Sequence, residues 1–318
     1  MIITGKKFSK PEMSRVINGD VVLNSEEEKP EKFRLDLLLV EKFPEYNRSS
    51  LQTFIKSGFV KVDGVVAKKS NEKYEKTAVL ELAVPEKAEL KAADEPTVLF
   101  EDENVKVFDK PAGLLSMAKG EYCPEPTLED FGLLVHRLDR DTSGVVILAK
   151  NPEVQSFLRR QFQDRKTHKT YIAVVEGRPK LDEAKIDLPI ARNLKHPTTF
   201  QVDPNGKPSV TFYRVLKTNE KYSLLELKPV TGRTHQLRVH LKYLGTPILG
   251  DPVYGNSPEK QRSDHERSAE QISEKTSRKT RLFLHAKSLE ITIPGENGGK
   301  RKVFESPLPK EFEEIFEA

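Results

Sequence analysis

The sequence predicts an α+β protein, with a mixed, mainly antiparallel sheet and a small separate unit ahead of it. Three observations predict this. Strand-like runs such as 171–175 and 223–227 alternate or cluster apolar residues, and irregular, often hairpin-length gaps separate them instead of the even strand–helix spacing of a parallel βαβ fold. Only a few segments carry apolar residues at helical spacing. Polar stretches at 1–33 and 87–96 set off a compact block between them.

The chain has 318 residues, enough for one large domain and a small one. Lys and Arg number 53 against 49 Asp and Glu, a net charge of +4, which permits a nucleic-acid partner without demanding one. Cys123 is the single cysteine, so no intrachain disulfide forms and no zinc knuckle can be built. A reducing, cytoplasmic setting is expected. The first residues lack the apolar stretch of a signal peptide, and no run approaches a membrane span, so no membrane association is expected. No obligate protein partner is indicated, and a monomer is the default.

Taken in order, residues 1–33 are broken by Pro11 and Pro30 and read as an arm. Residues 34–86 read as the small unit. Leu35, Leu38, Leu39 and Phe43 share a helical face. A second helix begins near Ser49, carries Leu51, Phe54 and Ile55 inward, and stops at Gly58. Val60 and Val62 alternate with Lys61, and Asp63-Gly64 is a hairpin signal before Val65-Val66. Between 34 and 76 nine basic residues face six acidic ones.

The large domain spans 97–318. Its early strands lie at 98–100 and 105–108, with a turn at Lys110-Pro111-Ala112-Gly113. Asn151-Pro152-Glu153 opens a helix, with Asn as cap and Pro in the first position. Val154, Phe157, Leu158 and Phe162 are its expected buried stripe. A later helix runs from near Thr234 to before Gly245, with Leu237, Leu241 and Leu244 as its apolar face and with His235 and Arg238 on one flank. Residues 257–280 are polar and without periodicity, as in an exposed insertion.

The densest chemistry is His136-Arg137-Leu138-Asp139-Arg140-Asp141-Thr142-Ser143-Gly144, directly before the apolar run 145–149. Charges packed against a buried strand are costly unless they pair or react. Read alone, Asp139 is either a reactive carboxylate or part of a side-chain-capped turn. The array resembles the signature of RluA-type pseudouridine synthases. Further motifs of that family follow in the same order: Lys110-Pro111-Ala112-Gly113-Leu114, then Lys169-Thr170-Tyr171-Ile172-Ala173, then Gly232-Arg233-Thr234-His235-Gln236-Leu237-Arg238-Val239-His240, then Gly250-Asp251, then Arg281-Leu282-Phe283-Leu284-His285-Ala286. One departure is Phe131-Gly132-Leu133-Leu134-Val135, where the family often has a Pro-Gly pair. The small unit, through Arg34-Leu35-Asp36, Arg48-Ser49-Ser50-Leu51 and Gly58-Phe59-Val60-Lys61-Val62-Asp63-Gly64, resembles the alpha-L RNA-binding domain of small-subunit ribosomal protein four.

The resemblance implies the pseudouridine synthase fold, an RNA partner and isomerisation of uridine without a cofactor. Large-subunit ribosomal RNA is the expected substrate, with transfer RNA as the alternative. It implies Asp139 as nucleophile, Arg238 as its guanidinium partner and Tyr171 as the ring against the target base. Arg137 would fill the space that the base vacates, and His136, Thr142, Arg233 and His235 would line the substrate site. Arg34, Arg48 and Lys56 would contact RNA. A non-catalytic RNA-binding body on the same fold is a competing reading. A phosphotransferase is not supported, because neither a glycine-rich loop nor an Asp-Phe-Gly motif accompanies the His-Arg-Leu-Asp run. His235 and His240 are five apart, which is not the spacing of a helical zinc pair, so no metal is expected.

Overall fold

The computed structural model describes residues 31–84, 90, 95–118, 123, 125–256, 281–295 and 299–317. The 257–280 insertion, nearly all of the N-terminal arm and most of the linker lie outside the described residues. The chain divides into two compact units, Met1–Pro85 and Glu86–Ala318.

In the first unit β1 (Lys32–Arg34) leads into α1 (Leu35–Lys42) and α2 (Arg48–Lys56). The Asn47 side chain caps α2 by accepting from the Ser50 N–H at 2.9 Å. Leu35, Leu39, Leu51, Phe54 and Ile55 are buried between the two helices and the strands. After Gly58, whose φ of +80° ends α2, come β2 (Val60–Val62) and β3 (Val65–Val66). Asp63 and Gly64 both take positive φ, as the tight hairpin requires. β4 (Lys73–Glu75) pairs with β1, and β5 (Leu80–Leu82) with β2.

A charged knot holds this unit. Asp36 has a fully buried side chain. It accepts from Arg34 Nε and Nη2 at 3.0 Å each, from Arg48 Nη2 at 2.9 Å and from Gln52 Nε2 at 2.7 Å. The Arg34 hydrogen bond outweighs burial and, with Gln52 and Arg48, holds the carboxyl far below the usual carboxylate range. Arg34 and Arg48, expected as RNA contacts, therefore hold an internal carboxylate with their forks. The charge balance of the unit does not show that Asp36 turns inward between them, which is why the sequence concealed this. Lys56 is exposed at the end of α2.

The second unit is built on one ten-stranded sheet. Its elements are β6 (Thr97–Glu101), β7 (Val105–Lys110), β8 (Leu133–Leu134), β9 (Ser143–Ala149), α3 (Pro152–Gln163), β10 (His168–Glu176), β11 (Glu183–Asp187), β12 (Ile190–Arg192), β13 (Phe200–Val202), β14 (Val210–Thr218), β15 (Tyr222–Pro229), α4 (Gln236–Tyr243), β16 (Leu284–Ile293), β17 (Lys300–Glu305) and α5 (Glu311–Glu314). The strand order is β11-β14-β15-β10-β16-β9-β7-β6, with β17 beside β16 and β8 beside β9. Among the described residues only the β16–β9 pairing of this sheet is parallel, and its other pairings are antiparallel. The α+β fold with a mixed, mainly antiparallel sheet is thus what the chain adopts.

Every residue of β9 is buried, because each of its faces meets a separate core. Val145, Ile147 and Ala149 pack with Val154 and Leu158 of α3. Val146 and Leu148 pack with Phe108, Leu128 and Leu138. The α3 cap is as expected, with Asn151 accepting from the Val154 N–H at 2.9 Å. Its stripe differs. Phe157 is 39% exposed, and Gln161 is buried in its place, exchanging hydrogen bonds with the Thr292 backbone of β16. An amide that satisfies both backbone groups of a strand can occupy a core position that simple periodicity assigns to an apolar residue.

The parallel junction sets the site. Ser143 pairs with His285 and Gly144 with Ala286, while Ala286 pairs on its other side with Tyr171. Gly144 has φ +109°, and a methyl there would collide with the Ala286 backbone. Only glycine lets β9 and β16 approach at this point. The register of β10 shifts between Thr170 and Tyr171, a bulge that re-aims the tyrosine at the junction.

Candidate active site

The loop before β9 carries Asp139 and is pinned on both sides. Ser116 Oγ donates to the Leu138 carbonyl at 2.7 Å and accepts from the Leu138 N–H at 3.1 Å. On the other side, the Arg140 carbonyl accepts from the Gly113 N–H at 2.9 Å and from Lys110 Nζ at 2.8 Å. Lys110 is fully buried and also donates to the carbonyls of Pro111 and Leu114, at 2.8 Å each. Burial pushes its ammonium down to about 7, yet three carbonyl acceptors match the three protons of the charged form. The Lys110-Pro111-Ala112-Gly113 turn is thus the cradle of the Asp139 loop. Lys110→Met is expected to leave these carbonyls unpaired at a net cost of at least about 2 kcal/mol and to slow turnover by loosening Asp139. Urea unfolding and steady-state rates check both, and an unchanged unfolding midpoint would refute the cradle.

The first residue of the strand is held as well. Arg281 Nη2 donates to Ser143 Oγ, and the Ser143 hydroxyl shares a hydrogen bond with His285 Nδ1 at 2.9 Å. Arg281 is itself paired with Glu311 at 2.6 Å.

Across the cleft stands Arg238 in α4. Its Nε and Nη2 donate to the two oxygens of Asp251, at 2.8 Å each, and its Nη1 donates to Asp139 Oδ2 at 3.1 Å. The Asp251 side chain is fully buried and also accepts from the N–H groups of Val253 and Tyr254. Burial disfavours both charges. The hydrogen bonds win, so Asp251 is held below the usual carboxylate range and Arg238 above its own ordinary value. The guanidinium carbon lies 5.1 Å from the Tyr254 ring centroid. Asp139 remains partly open, at 26% exposure.

α4 begins at Gln236, later than expected, and Leu244, expected on its apolar face, is 37% exposed. His235 precedes the helix in the left-handed conformation, φ +56°, instead of sharing a helical flank with Arg238. The bend still brings its Nε2 within 3.9 Å of Asp139 Oδ2. Tyr254 Oη accepts from the Phe200 N–H and shares a hydrogen bond with His235 Nδ1, each at 2.9 Å. Burial lowers the His235 pKa more than Asp139 raises it. The ring is therefore neutral at physiological pH.

One pocket gathers Arg137, Asp139, Thr142, Tyr171, Arg233, His235 and Arg238 with Lys169 and Leu284. Burial, and then the charge of Asp139, pushes the Tyr171 phenol far above its ordinary value, so it is a neutral donor at physiological pH. Arg137 reaches across to Thr234 Oγ1 at 3.1 Å. Arg233 Nε donates to the Pro208 carbonyl at 3.3 Å. His136, expected to touch substrate, is not among the residues lining this pocket. Its Nε2 accepts from the Ile147 N–H at 3.2 Å, and its ring stacks on Phe162 at 4.6 Å. Its neighbours in the motif are loop residues, but the ring turns towards α3 and lines a second, adjoining pocket. Asp251, Tyr254 and Lys169 complete the site without having been assigned roles from the sequence. The Gly250-Asp251 and Lys169-Thr170-Tyr171 motifs were the available signals.

His136 is pushed down to about 3 and His285 to about 4, by burial in each case. Both are neutral in the fold and titrate near 6.5 when unfolded. Their folded values are depressed, so the unfolded chain binds more protons between those limits. Stability is therefore expected to be full above pH 7 and to fall by about 1 kcal/mol per pH unit for each ring as pH drops from about 6 towards 4. Urea midpoints across that range read the slope, and His136→Gln should shallow it.

The profile of the family described as RNA pseudouridylate synthase matches residues 104–243, and that of the S4 domain matches 33–80. A protein of Aquifex aeolicus named as an uncharacterised RNA pseudouridine synthase is 38% identical over 71% of this chain and 78% of its own length. Ribosomal large subunit pseudouridine synthase D of Haemophilus influenzae is 33% identical over 92% of this chain and 94% of its own. Among solved structures, human RNA pseudouridylate synthase domain containing 4 superposes with a TM-score of 0.53 at 27% identity, covering 69% of this chain and 91% of that one.

Proposed function

Because the chain belongs to the RluA-type RNA pseudouridine synthases and carries an S4 domain, we propose that it isomerises specific uridines of large-subunit ribosomal RNA with Asp139 as the nucleophile. The observation that carries this is the partly open Asp139 carboxylate, held 3.1 Å from Arg238 in a pocket shared with Tyr171. The target nucleotide leaves its stack to reach that depth, at a cost of a few kcal/mol, and Arg137 takes the vacated space. The uracil packs on Tyr171, a contact worth roughly 1–3 kcal/mol. Asp139 attacks as the bond from sugar C1′ to N1 breaks. The uracil turns, and its C5 bonds to C1′ as the bond from C1′ to the Asp139 carboxylate breaks, which returns the free carboxylate. The C5 proton leaves and N1 gains one, so the reaction is redox-neutral and its balance requires no cofactor. Tyr171 enters as a neutral phenol, so any proton that it accepts must be passed on in the same step.

Thr142, Arg233 and His235 line the base and ribose, while His136 acts from behind as a neutral prop. In the small unit Lys56, with the exposed edges of Arg34 and Arg48, meets RNA phosphates.

Carbodiimide mapping of RNA from cells with and without this protein tests the assignment. Adducts at one or a few large-subunit uridines should vanish on deletion and return on complementation. A change confined to transfer RNA would overturn the choice of substrate, and no change in any RNA would overturn the enzymatic reading.

A further inference from the structure

Lys169 carries an inference beyond the reacting groups. It sits in β10 beside Tyr171, half-buried, and burial alone pushes its ammonium down to about 8. Among the described residues no hydrogen bond or ion pair holds it, unlike Lys110, whose three protons all have acceptors. It lines two pockets. One contains Asp139, and the other lies against the same Tyr171–Lys169 wall. Among the described residues, the second pocket is lined by Arg137, Arg165, Lys169 and Arg233, and by no carboxylate. Gly232 stands over it with no side chain, and even a methyl there would stay 3.9 Å from Lys169 Nζ. Four cations around one concavity, with an unpaired ammonium at its inner wall, call for an anion.

A chain that has already delivered its base to the first pocket has one anion to offer at that distance, a phosphodiester of its own backbone. Uracil is the competing occupant for Lys169, but a neutral base would leave the three arginines without a counter-charge. Resting on the reading of this chain as an RNA-modifying enzyme, we propose that the pocket walled by Arg137, Arg165, Lys169 and Arg233 binds the RNA phosphate adjoining the flipped nucleotide, with Lys169 as its inner contact. Lys169 is then a positioning residue that fixes the strand while Asp139 and Tyr171 act on the nucleoside.

The test uses the full chain and large-subunit ribosomal RNA from cells lacking this protein. Dissociation constants are measured across a salt series for the parent, Lys169→Gln, Lys169→Arg and Arg165→Gln, and turnover is followed at saturating RNA by tritium release from 5-tritiated uridine. Lys169→Gln should weaken binding about tenfold at low salt. It should also lower the slope of log affinity against log salt by about 0.7. Arg165→Gln, on an exposed residue, should lower the slope in the same direction, and Lys169→Arg should restore it. An unchanged affinity and slope in both Gln variants would overturn the proposal. So would loss of turnover with binding intact, which would give Lys169 to the base. A parent that releases no tritium would sink the function proposed above, while the binding slopes would still decide the pocket.

Discussion

Asp139→Asn is expected to abolish pseudouridine formation, by at least about a thousandfold, while RNA binding and folding persist. The substitution keeps the size of the side chain and an oxygen that can accept from Arg238 Nη1, now at 3.1 Å. Arg238 stays neutralised by the two oxygens of Asp251, so no buried charge is stranded. What disappears is the negative charge and, with it, the capacity to attack or stabilise the sugar as its bond to N1 breaks. Binding should hold or tighten slightly, since one negative charge leaves a cleft that faces phosphates. Tritium release, filter binding and thermal unfolding on the same preparation decide the matter. Turnover near the parent's rate would remove Asp139 from the chemistry. Loss of binding together with a lowered unfolding temperature would make it a structural turn residue, the alternative that the sequence alone left standing.

The Asp139 loop could be read as a candidate site because its residues are contiguous and together resemble a family signature, although Asp139 read alone fits a side-chain-capped turn as well. The same holds for elements announced by local chemistry: the Asn151 cap, the Gly58 stop and the Asp63-Gly64 hairpin each depend on neighbours a few positions away. What stayed hidden depends on distance along the chain. Ser143 and His285 meet across 142 positions, and that parallel junction is what places Tyr171 beside the Asp139 loop. No periodicity reports such a pairing. His235 was assigned to a helix because its spacing from Arg238 fits one. The left-handed bend that it adopts is recorded only in backbone geometry. Arg34 and Arg48 look like surface cations until Asp36 turns inward between them. Lys169 matters through having no partner among the described residues, which its place in the sequence does not show.

Replacing Arg238 should be the most destructive single change in the large unit, and its pH dependence identifies the cause. Arg238→Ala leaves Asp251 fully buried with only the N–H groups of Val253 and Tyr254 to hold its charge. A broken buried pair of this kind costs about 3–5 kcal/mol, which lowers the unfolding temperature by roughly 10 °C for a unit of this size. Turnover should fall as well, since Asp139 loses its guanidinium. Arg238→Lys should not rescue, because one ammonium cannot donate to both oxygens of Asp251 and reach Asp139 as the planar fork does. The sign with pH is fixed by the pair. In the parent, Asp251 is held below its ordinary value, so its contribution is full near neutrality and is lost as pH falls below the usual carboxylate range. In Arg238→Ala the same carboxyl takes up a proton more readily, and a neutral buried acid is tolerated. The stability gap between parent and variant should therefore narrow from pH 7 towards pH 4. Pairing Arg238→Met with Asp251→Leu removes both charges and should recover much of the stability without recovering turnover. A gap that stays constant with pH, or a double variant no more stable than Arg238→Ala, would mean that the guanidinium contributes through packing against Tyr254 instead of through charge.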